Sequence, residues 1–101
     1  DFIELTDKEI KITIIKDSEI IIGYCITTIK KGIGEIDSIY IDTEYRKEGY
    51  GKKLIEISTN WLKQNKCKKI MVAVADGHEK VFDFYMKMGF YPRLTYLQLK
   101  E

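Results

Sequence analysis

The sequence predicts one α+β domain (mixed α/β) on a mixed, mainly antiparallel sheet, and three observations carry that prediction. Seventeen isoleucines, many in short bursts, favour strands, because β-branched side chains lose little freedom on a pleated surface. Past Gly51 the apolar residues switch to a spacing of three and four, the period of a helix. The continuously apolar run that follows, Lys69–Ala75, makes a strand–helix–strand succession, which implies a right-handed crossover and one parallel junction. No repeat or low-complexity tract divides the chain, and its one proline, Pro92, makes no linker, so residues 1–101 read as a single domain.

Element by element, Asp1–Ile10 is read as the tail of a helix that begins upstream. Lys11–Lys16 is a short apolar-rich strand closed by the turn signal Asp17-Ser18. Glu19–Lys30 resumes as a strand carrying Gly23, and Lys31-Gly32-Ile33-Gly34 turns the chain into a third strand, Glu35–Asp42. The short connections predict an antiparallel meander. Leu54, Ile55, Ile57, Trp61 and Leu62 then mark an amphipathic helix over Gly51–Asn65. Lys69–Ala75 is expected to be covered on both faces. Asp76 with Glu79 three residues on resembles a capping box for a second helix. That helix has Val81, Phe82, Tyr85 and Met88 on one stripe and Gly89 to end it. Phe90–Lys100 alternates as a last strand, giving the order β-β-β-α-β-α-β.

Composition narrows the function classes. With 17 basic against 16 acidic residues the net charge is +1, which argues against a basic nucleic-acid arm or an acidic tail, so no nucleic-acid partner is expected. No apolar run approaches the ~20 residues that span a bilayer, so no membrane partner is expected. Cys25 and Cys67 form neither a metal-binding pair nor a disulfide framework, and the expected compartment is the reducing cytoplasm. No metal site is expected. The chain opens on Asp1 rather than Met, which predicts an upstream segment.

The informative stretch joins the third strand to the first helix: Tyr45-Arg46-Lys47-Glu48-Gly49-Tyr50-Gly51-Lys52-Lys53. Glycines at i and i+2 allow positive φ and clear side chains from the backbone. The unpaired amides of a first helical turn, reinforced by the macrodipole, then favour an anion, and Arg46, Lys52 and Lys53 add charge. A dinucleotide fingerprint needs glycine at position 54, where Leu54 stands. A P-loop needs glycine where Arg46 stands, and Ser or Thr where Lys53 stands. A bare G-x-G is equally compatible with a plain turn into the helix.

The remaining pattern, R-x-x-G-x-G between a strand and a helix, resembles the GNAT family of N-acetyltransferases, whose signature is Q/R-x-x-G-x-G/A at that junction. The likeness extends to Glu35, eleven positions before the signature, where the family commonly carries an acidic residue. It also extends to His78, Tyr85 and Gly89-Phe90, spaced like the family's Asn, Tyr and Gly-aromatic, with His in place of Asn. The match covers about Lys11–Lys100. What the resemblance implies is a GNAT-like sheet with a splayed parallel pair. Acetyl-CoA would be held through its pyrophosphate by Arg46, Lys47, Glu48, Gly49, Tyr50, Gly51 and Lys52. Its pantetheine arm would lie along the main chain of Ile39, Tyr40 and Ile41, with His78 touching the arm.

The same resemblance implies an enzyme that transfers acetyl directly to a primary amine of a small molecule or peptide. Glu35 would be the general base, Asp37 would assist, and Tyr85 would be the acid for the departing thiolate. Full members begin with a further strand and usually two helices that wall the acceptor site, so the domain is N-terminally short. An open first strand predicts homodimerisation through a sheet edge. The alternative is a non-catalytic acyl-CoA-binding or regulatory module that keeps the pyrophosphate loop. Trp61, Phe82 and Phe84 are expected in the core, both cysteines are expected to be structural, and the Lys63–Lys69 run reads as the solvated end of a helix.

Overall fold

A computed structural model describes residues 1–74 and 79–100. Alternation builds the sheet. Strand β2 (Ile10–Asp17) buries Lys11, Thr13 and Ile15, and β3 (Ile20–Lys30) buries Cys25 and Thr27, so every second side chain faces one layer. These strands pair antiparallel, as do β3 and β4 (Ile33–Ile41), which is the predicted meander. The predicted amphipathic helix is α1 (Tyr50–Gln64), whose Leu54, Ile55, Ser58 and Leu62 are buried against the sheet. After it β5 (Lys69–Val72) pairs with β4 in parallel. A short 3-10 turn, Glu79–Val81, leads into α2 (Phe82–Lys87).

The element order departs from the expectation at both ends. Phe2–Thr6 is a strand, β1, antiparallel to β2, not the tail of a helix. The turn between them is held by Asp7, whose Oδ1 accepts the amides of Glu9 at 2.8 Å and Ile10 at 2.9 Å. Across this pair the Lys11 ammonium, almost wholly buried, donates to Glu4 at 2.6 Å. At the other end Phe90–Lys100 forms no strand. Residues Tyr91–Lys100 are exposed throughout, with Leu97 at 94%, because alternation yields a strand only where a ladder partner exists. The sheet order is therefore β1-β2-β3-β4-β5.

Strand β5 is shorter than predicted, and as an edge strand it leaves Lys69 and Met71 exposed instead of being covered on both faces. Both helices lie on one face. There Ile15, Ile22, Cys25, Ile36, Leu54, Ile55 and Tyr85 form the core, and Phe84, Met88 and Phe90 pack onto it. Trp61 and Phe82 are half-buried. Gly34 lets α1 come close: a Cβ there would lie 2.5 Å from Leu62 Cδ2.

Candidate functional site

The loop from β4 to α1 is built in three steps. The Asp42 amide bonds to Ile22 O at 2.7 Å and ends the ladder, and Thr43–Tyr45 make a single 3-10 turn. Arg46 is extended, and Lys47 (φ 70°) and Gly49 (φ 85°) then adopt left-handed conformations. Gly49 is the N-cap of α1 and brings no side chain to cap it. The first helical bond is Lys53 N–H to Gly49 O, 3.1 Å, so the amides of Gly49, Tyr50, Gly51 and Lys52 have no intrahelical acceptor. A Cβ at Gly49 would meet nothing within 4 Å, so the helix entrance is open at that position. The helix begins with no acidic residue in its first turn, and its macrodipole adds to the positive character of Lys52 and Lys53. Orphan amides, a left-handed glycine and open space together fit a pyrophosphate.

Beside this loop, β4 has a free edge among the described residues. Its pairing with β5 ends at Ile36–Val72. One residue further, the β3–β4 register shifts: Thr27 faces Ile36 and Ile26 faces Ser38, leaving Asp37 as an extra, unpaired bulge residue. Because Asp42 N bonds to β3, alternation turns the main-chain groups of Tyr40 and Ser38 toward β3 and those of Ile39 and Ile41 away from it. Ile39 and Ile41 thus present N–H and C=O groups to the side β5 has vacated. This is an edge onto which an extended, amide-bearing chain can add. Arg46 uses part of it: its Nε donates to Ile41 O at 2.9 Å, and its guanidinium lies 5.9 Å from the centre of the Tyr40 ring.

Tyr85, 8% exposed, projects from α2 into the core between Phe84 and Phe90, with ring centroids 5.1 and 5.9 Å away. Burial, and secondarily the nearby Cys25, push its phenol above the ordinary pKa, so it carries its proton at neutral pH. Cys25 is itself buried. Its Sγ lies 3.3 Å from Ser58 Oγ and 3.8 Å from Thr27 Oγ1, and Thr27 donates to Ser58 at 2.8 Å. Burial raises the Cys25 pKa against those two hydrogen bonds, which keeps it an unreactive thiol. Phe84 closes on the helix entrance, its Cζ 3.4 Å from where a Cβ on Gly51 would sit.

The structure gathers the Arg46–Lys52 segment, the β4 edge and Tyr85 around the α1 entrance. It sets Glu35 apart: Ile36 points into the core with Tyr85, so its neighbour Glu35 points to the opposite face, half-buried. The bulge breaks the alternation that placed Asp37 on the Glu35 face, and Asp37 is exposed. Tyr40 contributes an exposed ring rather than free main chain. His78 and the capping residue Asp76 lie outside the described residues.

Sequence reasoning missed one residue, Tyr45. Its hydroxyl donates to Asp17 Oδ2 at 2.6 Å and ties the loop to the β2–β3 turn; a tyrosine beside the signature was the available signal. That bond, with desolvation, pushes the Tyr45 pKa up to about 12.

Comparison with known proteins agrees with this geometry. The model of the acetyltransferase (GNAT) family matches residues 2–90. The uncharacterized N-acetyltransferase YobR of Bacillus subtilis (strain 168) is 28% identical over 76 residues, 75% of this chain and 31% of that protein. A glucosamine 6-phosphate N-acetyltransferase of Trypanosoma brucei brucei is 33% identical over 60 residues, 59% of this chain and 39% of that protein. The chain thus spans between 31% and 39% of the length of the curated relatives it matches. Among solved structures, the aminoglycoside N-acetyltransferase AAC(6')-Iy in complex with CoA superposes with a TM-score of 0.77, covering 94% of this chain and 78% of that one. At 16% identity that likeness shows the fold alone. With an uncapped helix entrance behind R-x-x-G-x-G and a family match over nearly its whole length, the chain belongs to the acetyltransferase (GNAT) family.

Proposed function

We propose that this chain carries the acetyl-CoA site and the catalytic groups of an N-acetyltransferase that acetylates a primary amine of a small amino sugar or similar molecule. The observation that carries this reading is the run of uncapped amides at Gly49–Lys52 beside the vacated edge of β4. The amides, with Lys52, hold the pyrophosphate. Ile39 and Ile41 take the amide-bearing pantetheine arm as Ile33–Ile36 of the same strand take β5. Bound acetyl-CoA supplies a thioester-activated acetyl group. Arg46 is latched to Ile41 O and braces the loop rather than reaching into it.

The chain's own residues then manage protons. An ammonium has no lone pair, so the acceptor must lose a proton before it attacks. The Glu35 carboxylate takes that proton directly or through water, from the sheet face opposite the helices. Tyr85 Oη holds a proton on the helical face and gives it to the departing sulfur. Base and acid therefore act from the two sides of the gap where β4 and β5 part. One comparison supports an amino-sugar acceptor: a relative named above, 33% identical over 60 residues, is a glucosamine 6-phosphate N-acetyltransferase. The exposed Asp37 adds negative charge that would draw in a cationic amine.

Titration with acetyl-CoA, followed by release of free CoA in the presence of an amine panel, tests the reading. Saturable binding and turnover on amino sugars are expected. Binding that survives with no turnover on any amine would favour the non-catalytic acyl-CoA module, and absence of binding would remove both.

A further inference from the structure

The end of the molecule remote from the helix entrance carries a second feature. Two loops meet there, the β3–β4 turn and the α1–β5 connection, tied by Lys68 N–H to Gly32 O at 2.7 Å. Between them they present Lys30, Lys31, Lys63, Lys66, Lys68 and Lys69, all exposed. Among the described residues the only ion pair is Lys11–Glu4, so none of the six is neutralised by a partner. The neighbouring β1–β2 turn holds Asp7 and Glu9 around Lys8, but the Asp7 carboxylate is committed to the amides of Glu9 and Ile10. The net charge of +1 thus conceals a strongly basic pole.

Two of these lysines stand where lysine is a poor fit. Lys31 and Gly32 are the two central residues of a hairpin turn, with φ 53° and 79°, a geometry in which Asn-Gly is preferred. Lys66 (φ 59°) follows the α1 C-cap Asn65, its amide on Lys63 O and that of Cys67 on Leu62 O. That is a Schellman closure, whose left-handed position is usually Gly or Asn. The chain therefore accepts strained backbone at two adjacent turns, and both positions carry a positive charge to the same pole.

We infer that this lysine pole docks a short Asp/Glu-rich segment of a partner polypeptide. Carboxylates on a flexible chain suit hydrated, single-point ammonium groups. No arginine fork for bidentate phosphate recognition stands among the six, and these loops carry no aromatic platform for bases.

Fluorescence anisotropy with a labelled decapeptide of alternating Asp and Glu tests this, against an Asn/Gln decapeptide and an oligonucleotide of equal charge. The acidic peptide should bind, weakening as salt rises from about 50 to about 200 mM and screening tightens. The double variant Lys31→Asn/Lys66→Asn suits both left-handed positions, so its melting temperature should hold or rise. Its affinity for the acidic peptide should fall roughly three- to tenfold. The inference is overturned if the neutral peptide binds equally well, if the double variant keeps full affinity, or if the oligonucleotide binds more tightly than the peptide.

Discussion

The two ends of α1 are made of the same backbone and finished in opposite ways. At the C-terminal end the carbonyls are closed: the Asn65 amide and its Nδ2 reach Trp61 O, Lys66 N–H reaches Lys63 O, and Cys67 N–H reaches Leu62 O. At the N-terminal end a glycine occupies the cap, and Gly49–Lys52 keep their amides. A sequence able to satisfy one end so fully can satisfy the other with a Ser or Asp at the cap. Leaving it bare reserves those donors for a guest. The difference teaches that stability is concentrated where the helix stops and binding capacity where it starts.

Substitutions break or sharpen that contrast. The largest effect is expected at Tyr85, beside the bare end: Tyr85→Phe keeps the ring in the core and should lower kcat roughly 10²–10⁴-fold. The acetyl-CoA Kd should stay unchanged, and steady-state kinetics with direct titration would separate the two; full activity in the Phe variant would remove Tyr85 as the proton donor. Next comes Gly34→Ala, which drives a methyl into Leu62 near the closed end and should cost about 1–3 kcal/mol in denaturant unfolding. Cofactor affinity in the folded fraction should be unchanged.

Gly49→Ala is the counterpart at the open end. It meets no steric obstacle but forces a left-handed alanine, so about 1 kcal/mol of stability should go, together with acetyl-CoA affinity measured by calorimetry. The smallest effect is confined to alkaline pH. The folded-state pKa of Tyr45 is raised from 10.0 to about 12, so its bond to Asp17 contributes below pH 10 and is lost as pH rises toward 12. Tyr45→Phe should flatten that alkaline decline in thermal melts; an unchanged slope would show that the tether carries no titration.

Much of this architecture was legible in the sequence, because periodicity reports which face an element buries. The three-strand meander, α1 and the parallel junction all followed from spacing alone. What escaped depends on partners rather than period. The strand at Phe2–Thr6 is short and pairs only through the Asp7 turn, whereas Phe90–Lys100 alternates correctly and finds no ladder. At the site, R-x-x-G-x-G pointed to the amides at once. The opposite facing of Glu35 and Tyr85 required knowing which side of the sheet holds both helices. The Cys25–Thr27–Ser58 cluster joins β3 to α1 across 31 residues, which no local pattern exposes.

The slip at Asp37 makes the length of β4 as consequential as its chemistry. Removing that single residue would restore an uninterrupted ladder with β3 while leaving Ser38, Ile39, Tyr40 and Ile41 opposite the partners they have now. What would go is the local bend and added twist that a bulge gives a strand, at the point where the pairing with β5 stops. One amino acid of surplus chain thus marks the place where β4 parts from its parallel neighbour and its outward-facing donors begin.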